Sequence, residues 1–572
     1  MQKIIIGIIC GVFSFTALAI NQDTTYSRFH PTITNNGMVV SQDNLATDVG
    51  VQILQQGGNA IDAAVATAFA LSVTHQQGGG LGGGGFMLIY LAREKKTVAI
   101  NYREKAALAA TQDMFINPEG KVDRDAISMS HRAAGVPGTV AGLVYAQQHF
   151  GKLPLEKVMQ PAINLAKNGF VIDTQFTDLL AERETQIAKY PASQAVYMPK
   201  GKLLQPGDKL VQKDLANTLS LIAKQGAKAF YSGKIGQLLV QDMQKNNGLI
   251  TQKDLEQYTV QELTPLVGSY QDYQVVTMPL PSAGGIALLQ LLTLLEPYPL
   301  AEWGLNSSRT MQVMSQSMNL AFADRIYLGD ADFIKDPVTQ LLDKNYLDER
   351  RKLINPNQDV PSSEIKPGLH TVNSNMPVES PQTSHLSVVD KDRNMVANTF
   401  SINYSLGTAI VVPGTGIVLN NEMDDFAAET NASNAYGLVG SVANLIVPEK
   451  RPLSSMTPTL VFDAKGNPVM TTGAIGGSRI ITIILQVILN TLEHELDIAT
   501  ATNAPRFHSQ WLPDEVSIEE GFSNDTISKI VQLGFNAQLR PRIGAGHSIV
   551  IEDNKLYGAA DPRIATSKAA GY

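Results

Sequence analysis

Gln382-Thr383-Ser384-His385-Leu386-Ser387-Val388-Val389-Asp390, then Lys391-Asp392-Arg393, then Asn394 through Asn403, reads as two strands joined by a tight turn. Pairing Asp390 with Asn394 across the turn sets Thr383 opposite Ser401. Alternate residues of a strand share a face, so Asn403 is expected one step further along on the same side. A bulge would break this register. Two hydroxyls and an amide would then gather at a strand end, directly after a loop. A threonine freed there as an N-terminus joins a nucleophilic hydroxyl to an α-amine of pKa about 7.7–8.0, which suits a general base near neutral pH. On this stretch alone, an edge-strand threonine that caps a loop competes with that reading.

Upstream of the hairpin, the composition from about Pro356 to Pro381 turns to Pro, Asn, Ser and Asp with little apolar periodicity. This is the reading of an exposed, mobile segment and the clearest boundary in the chain. Before it, Val140–His149, Ile286–Leu295 and Met311–Ile326 carry helical patterns, and Asn44–Ser72 reads as helix interrupted at Gly57-Gly58. Gly78-Gly79-Gly80-Leu81-Gly82-Gly83-Gly84-Gly85 runs into a strand, Phe86–Tyr90. No Gly-Lys-Ser/Thr follows and no helix comes next, so the glycines signal close backbone approach and not phosphate binding. After the hairpin come strands, then helices at Ile480–Leu492 and Asn524–Leu533. Strands bracketed by helices predict a layered α/β sandwich in preference to a doubly wound parallel sheet.

The 572 residues are 44% hydrophobic and 17% charged, an ordinary globular balance. The net charge of −8 is spread without blocks, which argues against a nucleic-acid partner. Cys10 is the only cysteine, so an internal disulfide and a thiolate metal site are excluded. The histidines show no metal-ligand spacing and there is no Gly-x-Ser-x-Gly elbow, so neither a metal or other cofactor nor a conventional serine hydrolase is expected. Lys3, the apolar run Ile4–Ile20 and Ala17-Leu18-Ala19 give the pattern of a cleavable secretory signal, residues 1–19, and predict a periplasmic or secreted protein.

Thr383-Ser384-His385-Leu386-Ser387-Val388-Val389 resembles the start of the small subunit of the gamma-glutamyltransferase family. The resemblance continues in order through Asn420-Asn421-Glu422-Met423-Asp424-Asp425-Phe426, Arg451-Pro452-Leu453-Ser454-Ser455-Met456-Thr457-Pro458-Thr459 and Gly473-Ala474-Ile475-Gly476-Gly477-Ser478-Arg479-Ile480. Upstream, Gly82–Ile89, Asn101-Tyr102-Arg103-Glu104 and Gly135-Val136-Pro137-Gly138-Thr139 also match.

That resemblance implies an N-terminal-nucleophile hydrolase, an α/β protein of four αββα layers, formed jointly by two subunits cut from one precursor. The large subunit would span 20–382, with a mobile end from about 356, and the small catalytic subunit 383–572. It implies that Thr383 is the nucleophile, with Ser401 (usually threonine in the family) orienting it. Gly476 and Gly477 would supply backbone N–H donors to the oxyanion. Arg103, assisted by Ser454 and Ser455, would grip the donor's α-carboxylate, while Asp425, Glu422 and Asn403 hold its ammonium. Tyr436 would sit in a lid loop between Phe426 and Pro448. The implied reaction moves gamma-glutamyl groups from glutathione and related donors to water, amino acids or dipeptides. A glutaryl-type cephalosporin acylase of the same fold and an uncut, catalytically dead exported binding protein are the competing readings.

Overall fold

The structure, a computed structural model, describes residues 29–369, 383–428 and 441–572. The signal segment 1–19, the Gln382 side of the expected cut and Tyr436 lie outside the described residues.

Two seven-stranded sheets form the centre. In the first, the order is Lys568–Gly571, Met38–Ser41, Ser384–Val389, Met395–Ser401, Gly84–Leu91, Lys96–Tyr102 and Gln261–Leu263. In the second it is Thr32–Thr34, Lys555–Ala560, Ala545–Glu552, Pro468–Ile475, Thr459–Phe462, Tyr273–Thr277 and Leu266–Tyr270. Helices cover both outer faces, giving the αββα sandwich. Each sheet mixes strands from before and after Thr383, so neither half of the chain holds a complete sheet of its own.

The helix Ala60–Thr74 is buried along its whole length, which is why its residues are apolar or small all round. Asn59 accepts from the backbone N–H groups of Ile61 and Asp62, and the Asp62 carboxylate accepts the Asn59 N–H, a complete capping box. The one interrupted helix read across Asn44–Ser72 is two helices, Asn44–Gln55 and Ala60–Thr74, because the chain breaks at the glycine pair, where Gly57 takes φ 91°. On the far side, Ala283–Leu295, Ser308–Asp324 and Arg479–Leu492 pack against the second sheet.

The hairpin has the expected register. Ser384 faces Phe400, His385 faces Thr399 and Val389 faces Met395, without a bulge. Asp390 sets it: its carboxylate accepts from the N–H groups of Asp392 and Asn394 at 2.9 and 3.0 Å, and from Ala60 N–H at 2.8 Å. One carboxylate thus closes the turn and docks the buried helix on it.

The glycine run does what close approach requires. A Cβ on Gly83 would stand 1.9 Å from the Ser401 carbonyl oxygen, and one on Gly85 2.3 Å from that of Thr399. Any larger residue would push the strand Met395–Ser401 aside.

The described part of the segment 356–381 is mostly exposed, as expected, but is anchored at particular points. Ser362 and Ile365 are buried, and Trp511 Nε1 donates to both their carbonyls at 3.0 and 3.1 Å. Gly368 N–H donates to Asp324 at 2.9 Å and Leu369 N–H to the Tyr327 hydroxyl at 3.1 Å. These anchors come from side chains distant in sequence, which composition does not reveal.

Candidate active site

Thr383, Ser401, Asn403, Arg103, Glu422, Asp425, Ser454 and Gly477 line one recess, closed by Met456 and Ile480. Five separate stretches of chain converge on it: Arg103, the hairpin from Thr383 to Asn403, Glu422 with Asp425, Ser454 with Met456, and Gly477 with Ile480.

Thr383 and Ser401 stand at the open end of the hairpin, both buried. Asn403 departs from the expected alternation. The strand stops at Ser401, and Asn403 sits at φ 69°, a left-handed conformation that asparagine tolerates better than most residues. Its N–H donates to the Ser401 hydroxyl at 2.9 Å and its side-chain amide to the Asn421 carbonyl at 3.1 Å. The amide reaches the recess by a turn, not by strand periodicity.

Asn420 places the acidic residues. Its side chain accepts from Gly135 N–H and Glu422 N–H, both at 2.9 Å, and donates to the carbonyls of Gly82 and Gly135 at 2.6 and 2.8 Å. The short helical turn Glu422–Asp425 follows directly.

Arg103 continues from the end of strand Lys96–Tyr102. It is fully buried and donates to both Glu422 and Asp425, one guanidinium nitrogen to each, with Glu104 3.6 Å away. The cation and the acids expected to read opposite ends of a ligand therefore pair with each other. Three carboxylates around one guanidinium leave an excess of acid in a buried site. Burial pushes Glu422 up to about 8, with Glu104 adding to the rise and Arg103 opposing it; Glu104 is pushed up to about 7, again chiefly by burial. Asp424 lies beside them, also raised by burial to about 7, with the Tyr404 hydroxyl donating to it.

Ser454 is held by the segment that enters helix Ala283–Leu295. Its N–H donates to the Pro281 carbonyl at 2.9 Å and its carbonyl accepts from Ala283 N–H at 2.8 Å. Ser455 is buried but does not line the recess, and its hydroxyl accepts from Arg325 at 3.3 Å. Gly476 and Gly477 join strand Pro468–Ile475 to helix Arg479–Leu492 at φ 137° and 61°, conformations natural to glycine. Gly477 lines the recess, and Gly476 precedes it in the chain without lining it. A backbone turn at a helix N-terminus supplies N–H donors to developing negative charge.

Sequence reasoning passed over Gln42, whose side chain bonds the Thr383 backbone, and Asn444, which donates to the Asp425 carbonyl at 2.7 Å and accepts from Leu453 N–H at 3.0 Å. Neither lies in a motif. Glu104, Met456 and Ile480 stood inside the quoted motifs without a role.

Two sheets between helix layers, with a threonine at the start of a central strand facing a second hydroxyl, are the fold of the N-terminal-nucleophile hydrolases. The solved cephalosporin acylase from Bacillus halodurans superposes with a TM-score of 0.83 over 96% of this chain and 97% of its own, at 25% identity. The Helicobacter pylori gamma-glutamyltranspeptidase structure aligns with a TM-score of 0.56 and 43% identity, covering 57% of this chain and 95% of that one. The glutathione hydrolase proenzyme of Escherichia coli K12 is 47% identical over 547 residues, 95% of this chain and 93% of its own length. The family model described as gamma-glutamyltranspeptidase matches residues 46–571. The chain belongs to the gamma-glutamyltranspeptidase family and is an enzyme of gamma-glutamyl hydrolysis and transfer.

Proposed function

We propose that this chain is a precursor that cuts itself between Gln382 and Thr383, and that Thr383 then carries gamma-glutamyl groups from glutathione-like donors to water or to an acceptor amine. The observation that supports this most is the convergence of Thr383, Ser401 and Gly477 with Arg103, Glu422 and Asp425 on one recess.

In the cut, the Thr383 hydroxyl oxygen attacks the Gln382 carbonyl carbon, the acyl group shifts from nitrogen to oxygen, and water hydrolyses the ester. A free α-amine and a Gln382 carboxylate remain. In turnover the α-amine takes the hydroxyl proton as the oxygen attacks the donor's γ-carbonyl, and returns it to the leaving amine. Ser401 orients the hydroxyl, and the backbone N–H groups of Gly476 and Gly477 receive the oxyanion. Water or an acceptor amine then releases the ester.

The Arg103 ion pairs suggest how the donor is chosen. A glutamyl head group is a zwitterion, so its carboxylate replaces Glu422 and Asp425 on Arg103 while its ammonium takes the two acids released. Each broken pair is exchanged for a new one. A glutaryl group has no ammonium and would leave two buried carboxylates unmatched, a costly outcome. This favours the glutamyl reading over the acylase reading, although the fold is common to both. Ser454 is the nearer hydroxyl for the substrate carboxylate, and Ser455 acts behind it. We assign Tyr436 to a lid, and residues 1–19 to a cleaved export signal that delivers the enzyme to the periplasm or medium. No helix among the described residues is long and apolar enough to cross a membrane.

Because both sheets draw strands from either side of Thr383, the cut chains should stay together as a heterodimer. Purified protein is expected to run as two chains on a denaturing gel, and Thr383→Ala as one chain without activity. A Thr383→Ala protein that still matures would assign the cut to another residue or to a protease.

A further inference from the structure

The strand Met38–Ser41 pairs with the nucleophile strand only as far as Ser41, which faces Leu386. The chain then turns away, with Asp43 capping the helix Asn44–Gln55. The Thr383 carbonyl and the His385 N–H point to the same edge of the sheet, since C=O of one residue and N–H of the second one on share a side in a strand. Ladder pairing has already ended where they stand.

The Gln42 side chain meets both. Its amide nitrogen donates to the Thr383 carbonyl at 3.0 Å and its amide oxygen accepts from His385 N–H at 2.9 Å. These are the two bonds a backbone residue would make in a ladder, supplied here by a carboxamide. Gln42 is fully buried and its own carbonyl is held by the Thr566 hydroxyl at 2.8 Å. Gly78 backs the same carbonyl so closely that a Cβ there would lie 2.7 Å from the Thr383 oxygen.

We infer that Gln42 is a positioning residue for the nucleophile, a side-chain extension of the sheet that pins Thr383 once it has become a chain end. The inference rests on the reading of Thr383 as the nucleophile. In the precursor Thr383 is held by peptide bonds on both sides. After the cut it is a terminus, and terminal residues fray unless tied down. The Gln42 tie therefore matters more for turnover than for maturation. Because the Arg103 pocket is built from other segments, ground-state binding of the donor does not depend on it.

The test compares wild type, Gln42→Met and Gln42→Glu for self-cleavage on gels and for kcat and KM with a chromogenic gamma-glutamyl anilide, with Thr383→Ala alongside. Methionine keeps the length and loses both hydrogen bonds. Gln42→Met should cleave like wild type, keep KM, and lose kcat by about 10- to 100-fold, the usual cost of a nucleophile displaced by a fraction of an ångström to an ångström. Glutamate retains an acceptor for His385 N–H, and its protonated form can still donate to the Thr383 carbonyl. The kcat of Gln42→Glu relative to wild type should therefore recover as pH falls, which a role in packing alone would not produce. Unchanged kcat in Gln42→Met overturns the inference. So does a parallel loss of cleavage, turnover and Tm, or failure of both variants to fold, because each assigns Gln42 to the architecture. If Thr383→Ala retains activity, the nucleophile assignment itself has failed, which is a separate result.

Discussion

The hairpin that carries Thr383 and the acid pocket around Arg103 meet at one recess but are held in opposite ways. In the hairpin, backbone ladders and the Asp390 turn fix the strands, with the Gln42 carboxamide taking over at the Thr383 end, and Asp390 is the only ionisable group among these ties. In the pocket, a guanidinium and three carboxylates from separated segments hold one another while buried from solvent. Backbone geometry needs no partner to be stable, whereas an excess of buried acid is costly until a cation joins it. The first region is built to place an atom, and the second to be completed by a ligand.

The widest separation of the two regions should come from Asp425→Asn. Truncating one partner of a buried charge pair costs about 2–5 kcal/mol, a loss on the order of tens to thousands in kcat/KM. The variant should lose that much with a gamma-glutamyl anilide and still cut itself, while the already poor turnover of the matched glutaryl anilide stays level or rises. Equal losses on both substrates would make Asp425 part of the framework.

A pH titration sharpens the contrast next. Glu422 and Glu104, raised by burial to about 8 and about 7, hold protons in the folded state that the unfolded chain, with carboxyls near 4.5, has released. The unfolded state binds fewer protons over that interval, so this contribution is greatest below about pH 4.5 and is lost as pH rises towards about 8. Wild type should therefore lose Tm relative to Glu422→Gln across that window. In the proposed pocket the donor's ammonium needs Glu422 ionised, so binding of an unreactive gamma-glutamyl analogue should weaken as pH falls from about 8, by up to about tenfold per unit. A Tm difference and an affinity that are both flat with pH would contradict the pocket as drawn.

How far the sequence carried differs between the regions for the same physical reason. Strand alternation and turn chemistry are local, so the register from Asp390–Asn394 to Thr383–Ser401 could be counted out from the letters alone. Asn403 escaped that count because the strand ends at Ser401 and a left-handed residue re-aims the chain. Arg103, Glu422, Asp425 and Ser454 have no local signature. Any of them alone reads as a solvated surface residue, and only their likeness to an ordered set of motifs brought them together. Gln42 and Asn444 were not legible at all, since each stands in for backbone contacts between segments far apart in the chain. The anchors of the segment up to Leu369 were hidden in the same way, its composition saying nothing of Trp511 or Asp324.

The smallest effect should come from Ser401→Thr, which keeps the hydroxyl and adds one methyl. Position 401 sits on the backbone-fixed side, where Gly83 already presses against its carbonyl. A change within about threefold in self-cleavage and in kcat is expected, since a single methyl in a packed site is worth about 1 kcal/mol or less when the shape tolerates it. A loss of a hundredfold would show that the hairpin end has no room to spare.

The central claim is that the backbone-fixed threonine takes the acyl group that the acid pocket selects. Mass spectrometry after rapid acid quench, with a gamma-glutamyl donor in excess, tests it most directly. The account predicts a small chain whose N-terminal peptide begins at Thr383 and gains the mass of one gamma-glutamyl group, with no such gain in Asp425→Asn at the same donor concentration. An adduct on any other peptide, or turnover without an adduct on Thr383, would contradict it.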